Sequence, residues 1–386
     1  MTRTLRTGYT TGACAAAAAK GAALMLANQA FLSEVSIDLP TGDTVLFVLH
    51  GQSFSTDEAS CFVIKDAGDD PDVTNGAEVW ATVANSTPPP TLTLPRQWGG
   101  DNISITGGIG IGKVTKPGLA IPPGEWAINP VPRRMIEEAV CSVFSPFTLH
   151  PSPFTLHPSL CTLQPSLFTL HIEISIPDGE ERAKKTLNAR LGIIGGLSIL
   201  GTTGIVRPIS AKAWTDTIDA ALDVAKACGC KTVVLSTGRS SELAAQNFFT
   251  LHPSLFTLPE EAYIMMGDHV AYTLQACAKR GFAAPVIACQ FAKLLKIACG
   301  YANTHAAASE LDLAVLFKWA EAAHISPEFL AIITHANTAR EIAVATGFDR
   351  ALMELVANQA IEAAAVHAPG VQAQMLLCGY DGTVIL

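Results

Sequence analysis

Hydrophobic and polar positions change rhythm partway along this chain. In the first half the apolar positions form short alternating runs around one alanine-rich segment at residues 13–19. A helix starting near Thr10 or Thr11 explains that segment, with threonine as cap and alanines as strong helix formers. Alternating runs near Glu34–Leu39 and Thr44–His50 flank Pro40-Thr41-Gly42-Asp43 and predict a hairpin. Runs at Cys61–Lys65 and Glu78–Ala84 add strands, and Met135–Phe144 has helical spacing. From about residue 186 the rhythm becomes strand followed by helix. Lys231–Leu235 runs into Ser236-Thr237-Gly238-Arg239, Tyr263–Met266 into Gly267-Asp268-His269, and Pro285–Ala288 into Cys289-Gln290-Phe291. A helix-like segment follows each, the usual arrangement for a parallel sheet. The expected organisation is an α+β domain over residues 1–185 and an α/β domain with a mostly parallel sheet over residues 186–386. In such sheets ligands bind beyond the carboxyl ends of the strands, which directs attention to these three turns.

Two stretches stand apart from this rhythm. Residues 107–132 carry six glycines and five prolines, mixed with Lys113 and Lys116 and followed by Arg133 and Arg134. So many special backbone positions imply a fixed path whose amides and cations face an anion. Gly107, Gly112 and Lys113 match the spacing of a phosphate-binding P-loop, but Val114 stands where a magnesium-ligating hydroxyl belongs, and Pro117 blocks the helix that should follow. A nucleotide-dependent phosphotransferase is therefore disfavoured. Residues 147–171 repeat a seven-residue unit (FTLHPSP, FTLHPSL, CTLQPSL, FTLH) that returns at Phe249–Leu258. Proline in the unit rules out a coiled coil. We read the repeats as insertions near 145–171 and 249–258, accommodated in two surface loops.

Composition narrows the function. The 34 Asp and Glu against 25 Lys and Arg give nucleic acid no electrostatic reason to bind. The most apolar stretch, Leu191–Val206, is short and broken by glycines, so no membrane span is expected. Lys20 interrupts the alanine run that a signal peptide would need. Ten cysteines with no CxxC pair form neither a disulfide scaffold nor a zinc site, and a reducing cytoplasm is the expected location.

Candidate chemistry lies in four places. Asp69, Asp70 and Asp72 put carboxylates close together, as a cation site, as acceptors for ligand hydroxyls, or simply as a solvated turn. Gly201, Thr202, Thr203 and Gly204 form a small-residue turn that either admits a ligand to backbone amides or packs tightly. Ser236, Thr237 and Gly238 sit on a strand-end turn, and Arg239 beside them, like Arg207, suits either a bidentate carboxylate contact or an ion pair. Asp268 follows a strand and opens a helix, as an acid, a proton acceptor or a cap.

The long segments LRTGYTTGACAAAAAK (5–20), DAGDDPDVTNG (66–76), GGIGIGKVTKPGLAIPPGEWAINPVPRRMI (107–136) and ARLGIIGGLSILGTTGIVRPIS (189–210) resemble, in order, the CbiD family of anaerobic cobalamin biosynthesis. STGRSSE (236–242), MGDHVAYTL (266–274) and NTH (303–305) continue the resemblance, with departures at Asn75 and His269. It implies a cytoplasmic enzyme whose Rossmann-like C-terminal domain and N-terminal domain share a cleft. The implied reaction is methylation of ring carbon C-1 of cobalt-precorrin-5B, giving cobalt-precorrin-6A. S-adenosyl-L-methionine is the implied donor, and cobalt arrives only inside the tetrapyrrole, so the resemblance implies no protein-bound metal. The resemblance adds His305 to Asp268 as catalytic candidates. It gives Gly201–Gly204 and Ser236–Gly238 to the donor. Asp69, Asp70, Asp72, Lys113, Lys116, Arg133, Arg134, Arg207 and Arg239 go to the substrate and its carboxylate arms. A homo-oligomer is compatible with it. The competing reading is a non-catalytic tetrapyrrole-binding protein, inactivated by its repeats.

Overall fold

In the computed structural model, which describes residues 5–86, 103–144, 169–253 and 258–386, the chain divides into two units, Met1–Ser210 and Ala211–Leu386. The fold is mixed α/β with several sheets. No helix among the described residues is long and apolar enough to cross a membrane.

The first unit begins with β1 (Gly8–Tyr9) and α1 (Thr11–Asn28). Thr10 caps α1, its side-chain oxygen accepting from Ala13 N at 3.2 Å, as the threonine-then-alanine pattern predicts. Residues 13–19 are buried, and none of their side chains is larger than a methyl or a thiol. Helix α1 can therefore be packed on several sides at short range. β2 (Glu34–Asp38) and β3 (Thr44–Val48) make the expected hairpin, with Glu34 opposite Val48 and Asp38 opposite Thr44. A five-stranded sheet then runs in the order β4 (His50–Phe54), β5 (Glu58–Ile64), β6 (Glu78–Ser86), β9 (Thr169–Ser175), β7 (Ile103–Gly107). Only the β7–β9 pair is parallel. Ala59, Cys61 and Val63 of β5 and Val79, Ala81 and Val83 of β6 turn inward, and α1 packs against both strands. α2 (Pro130–Phe144) adds Met135, Ile136 and Val140 to the same core. α3 (Gly179–Ala183) follows β9; β10 (Ile193–Ile194) pairs with β8 (Lys113–Val114), and β11 (Ile205–Val206) pairs with β1.

The glycine-rich stretch owes its path to backbone packing. Gly110 has φ +73°, and a Cβ there would lie 1.8 Å from the carbonyl oxygen of Ile176. Gly179 and Gly196 both approach the Gly110 carbonyl, where an added Cβ would come within 2.2 Å. Three chain segments meet at a separation only glycine permits.

The repeat is not confined to surface loops. Residues 147–168 lie outside the described residues, but the last copy contributes Thr169, Leu170 and His171 to β9, between β6 and β7. Strand alternation puts Leu170 in phase with buried Ile172 and Ile174, and it is 7% exposed. His171 is bonded on both ring nitrogens, Nδ1 to Ser104 Oγ at 2.9 Å and Nε2 to Thr106 Oγ1 at 3.2 Å.

The second unit contains α4 (Ala211–Ala227), β12 (Val234–Ser236), α5 (Arg239–Leu251), β13 (Tyr263–Met265), α6 (Val270–Arg280), β14 (Val286–Cys289) and α7 (Phe291–Ala298). Helices α8 (Leu313–Ala322), α9 (Pro327–His335), α10 (Ala339–Ala345) and α11 (Arg350–His367) precede β15 (Gln374–Leu377). All neighbouring strands are parallel, in the order β13-β12-β14-β15. The three predicted strands are present, and β15, unread in the sequence, is the fourth. Val234, Val286, Ala288 and Leu376 pack with α5 residues on one face. Leu235, Ile287 and Leu377 pack with α4, α6, α7 and α11 residues on the other. Right-handed crossovers force this split, because the chain leaves β12 in one direction and later passes β12 in the other. The second repeat insertion is also not wholly a loop: residues 254–257 lie outside the described residues, but Phe249 is buried in α5 while Leu251 is 76% exposed.

Candidate functional site

The order β13-β12-β14-β15 makes the carboxyl ends of β12 and β14 the place where the connections diverge to opposite faces. A crevice opens at such a switch point. Ser236 ends β12 there. It is 0% exposed, and its Oγ makes no hydrogen bond. A buried hydroxyl without a partner is uncommon and costs about 1–3 kcal/mol. Gly238 is the N-cap of α5 and offers no side chain to cap it, and a Cβ at Gly238 would meet nothing within 4 Å. The first-turn N–H groups of α5 thus lack intrahelical acceptors beside open space. Arg239 opens the helix at 66% side-chain exposure, with one guanidinium nitrogen 2.9 Å from fully buried Glu242. Of the two readings of Arg239, the ion pair is present.

Asp268, past the end of β13, does not cap α6. Its carboxylate accepts from Lys293 Nζ of α7 and from Thr304 Oγ1, the latter at 2.7 Å. Burial would raise this carboxyl, but the hydrogen bonds from Lys293 and Thr304 and the lysine charge outweigh it and hold it below the usual carboxylate range. Lys293 also donates to the Thr304 carbonyl at 3.0 Å, and Lys296 to the Thr304 and Ser309 carbonyls at 3.2 and 3.0 Å. Burial and neighbouring Lys293 lower the Lys296 ammonium. His305 is exposed next to this cluster, its Nδ1 accepting from Ala307 N at 3.2 Å. Asp268 and His305 are therefore brought together on one loop framework, joined by Thr304 N donating to the Asp268 carbonyl at 3.0 Å.

The sequence pattern does not mark Lys293 or Trp214, and it marks Thr304 only as the middle of Asn303-Thr304-His305. The signal for Lys293 was its position in the first turn of the helix after the third strand. Trp214 becomes visible only once the strand order is known. Its Nε1 donates to the Met266 carbonyl at 3.2 Å, and its ring lies against Gly267 and stacks on His269.

The remaining candidates lie in the first unit. Asp69 accepts from Arg6 N at 2.8 Å, Asp70 from Ile209 N at 3.0 Å, and Asp72 pairs with Lys65, which is 1% exposed. Each carboxylate holds a different piece of backbone or side chain. Burial would raise the Asp72 carboxyl, but the Lys65 charge and hydrogen bonds from Lys65 and Thr74 lower it. Gly201 packs on Thr10, and Gly204 accepts from Thr10 N at 3.0 Å, so this turn braces the start of α1; Thr202 and Thr203 are exposed. Lys113 lies 4.4 Å from the Trp126 ring centroid, and Lys116 Nζ is 3.4 Å from the Arg190 carbonyl. Arg133 donates to the Ile105 carbonyl at 3.4 Å, Arg134 is 4.0 Å from Glu138, and exposed Arg207 forms no ion pair among the described residues.

Comparison with known proteins agrees along almost the whole chain. Residues 1–208 match CbiD, and residues 303–386 match the CbiD C-terminal domain. The chain is 56% identical over 401 residues to the cobalt-precorrin-5B C(1)-methyltransferase of Pelobacter propionicus, covering 99% of this chain and 95% of that protein. It is 56% identical over 383 residues to the protein of the same name from Geobacter sulfurreducens, covering 99% and 98%. A crystal structure of the cobalamin biosynthesis protein CbiD from Archaeoglobus fulgidus is 27% identical, with a TM-score of 0.37, covering 75% of this chain and 78% of that one. With both ends of the sequence matched and identity above half over nearly its full length, the chain belongs to the CbiD family.

Proposed function

We propose that this chain is an S-adenosyl-L-methionine-dependent methyltransferase that methylates C-1 of cobalt-precorrin-5B to give cobalt-precorrin-6A. The observation that carries the reading is 56% identity over 99% of the chain to proteins of that name. The donor supplies an already activated methyl group, so the protein's work is to align it with the ring carbon and exclude water.

We further propose that the second unit is Rossmann-like and that its switch point holds the donor. Its parallel sheet, the Ser236–Thr237–Gly238 turn at the end of β12 and the uncapped start of α5 support this. A carboxylate suits the first-turn N–H groups and the unpartnered Ser236 hydroxyl. We assign the donor to this turn rather than to Gly201–Gly204, whose glycines pack on Thr10 and Leu39. Asp268, held ionised by Lys293, suits donor hydroxyls or the charge developing in the reaction, with His305 beside it. The substrate's carboxylate arms are given to Lys113, Lys116, Arg133, Arg134, Arg207 and Arg239, and its polar edge to Asp69, Asp70 and Asp72. Cobalt enters as part of the substrate, and the enzyme works in the cytoplasm.

The test is incubation with cobalt-precorrin-5B and methyl-labelled S-adenosyl-L-methionine, followed by mass spectrometry and NMR of the tetrapyrrole. Label at C-1 is expected. A folded protein that binds the tetrapyrrole but transfers no label would sink the enzyme reading in favour of a non-catalytic binder.

A further inference from the structure

Helix α4 carries an apolar stripe at i, i+4 and i+8 formed by Trp214, Ile218 and Leu222. Ile218 and Leu222 are fully buried in the second unit's core, whereas Trp214, one turn nearer the start of α4, remains 46% exposed. The stripe thus runs past the end of the core and leaves its largest member at the carboxyl edge of β13. Three contacts fix that indole. Nε1–H is bonded to the Met266 carbonyl at 3.2 Å. Gly267, φ +58°, lets the ring lie on the backbone, where a Cβ would come within 2.9 Å of it. The His269 ring stacks with it at 6.4 Å between centroids and 29° between planes.

An indole held this way keeps much of its surface in water at an entropic cost already met by folding. Such a surface suits a flat heteroaromatic ring. Its neighbours say which ring. Met266 joins the indole to the switch point, since its carbonyl accepts from Trp214 while its N–H donates to the Ser236 carbonyl at 2.9 Å. Asp268 lies two residues further along. The platform therefore lies near both the Ser236 turn, suited to a carboxylate, and Asp268, suited to hydroxyls, so that base, ribose and amino-acid end of one donor molecule each find matching chemistry.

We infer that Trp214 is the stacking platform for the adenine ring of the methyl donor, an inference that rests on the donor site proposed above. The test uses S-adenosylhomocysteine, adenosine, methionine and cobalt-precorrin-5B as probes with the full-length protein, followed by calorimetry and by tryptophan fluorescence. The wild-type protein should bind S-adenosylhomocysteine, and its emission should change with that ligand and with adenosine but not with methionine. Trp214→Phe should remove the fluorescence response yet bind within about threefold of wild type, because a phenyl ring still stacks. Trp214→Ala, folded by circular dichroism, should bind about 5- to 100-fold more weakly. Unchanged calorimetric affinity in Trp214→Ala would overturn the platform while leaving the donor reading intact. Failure of the wild-type protein to bind S-adenosylhomocysteine would overturn both. Loss of tetrapyrrole affinity alone in Trp214→Ala would reassign the indole to the macrocycle and sink the adenine assignment.

Discussion

Asp268 and Lys293 are partners across the carboxyl edge of the second unit's sheet, one just past β13 and the other in the first turn of α7, with Thr304 closing the group. Neither is fully buried. The pair fixes the loop over β13 and keeps the carboxylate charged where a ligand is expected.

Because the Asp268 carboxyl titrates below its unfolded value, its stabilising effect is fully present above about pH 4 and is lost as pH falls through the lower folded value. Lys293→Met removes the opposing charge and leaves burial to push the carboxyl up. We expect a loss on the order of 2 kcal/mol at pH 7, shrinking toward pH 4. Urea unfolding at both pH values measures this, and an equal loss at both would contradict it.

Ser236→Ala should separate folding from binding. Removing a buried hydroxyl that has no partner is neutral or slightly stabilising for the free protein. If the hydroxyl meets the donor, affinity for S-adenosylhomocysteine falls by roughly tenfold. Thermal melts and calorimetry on the same preparation decide the matter; a drop in melting temperature with unchanged affinity would refute the assignment.

Lys65 and Asp72 should show a directional asymmetry. Asp72→Asn leaves an almost fully buried ammonium without its counter-charge and should cost about 3 kcal/mol. Lys65→Met leaves a carboxylate that is partly exposed and still bonded to Thr74, and should cost less. A chemical-denaturation double-mutant cycle reads both costs, and equal ones would count against this account.

Gly110→Ala should unfold the first unit or cost several kcal/mol, since the new Cβ would overlap the Ile176 carbonyl at positive φ. Gly124→Ala, also at positive φ but facing open space, should cost only about 1 kcal/mol. Similar melting temperatures for the two variants would show that the three-segment crossing is not tightly constrained.

Local pattern made part of this molecule legible. The cap and alanines of α1, the β2–β3 hairpin and the β12, β13 and β14 strand ends are specified by neighbours in sequence. What stayed hidden depends on strand order. Trp214 acquires meaning because β13 lies at the sheet edge, and Lys293 because α7 begins beside the loop that carries Thr304. Arg239 shows the limit of residue type, since its guanidinium suits a ligand carboxylate or an ion pair equally well, and only the fold reveals the Glu242 partner. The repeat makes the point most directly. Thr-Leu-His is strand at residues 169–171, with leucine inside, and lies at the end of a helix at residues 250–252, with leucine outside. Tertiary partners override any preference those three residues have alone.

Because β9 draws only on Thr169–His171 of the last copy, adjoining Ile172, whole units lost or gained ahead of that copy leave the strand's sequence untouched. Deleting Phe154–Leu160, or duplicating it, leaves the residues that enter β9 unchanged. Length drift in the repeat is silent at the level of the sheet, so genes differing by whole units would encode the same strand.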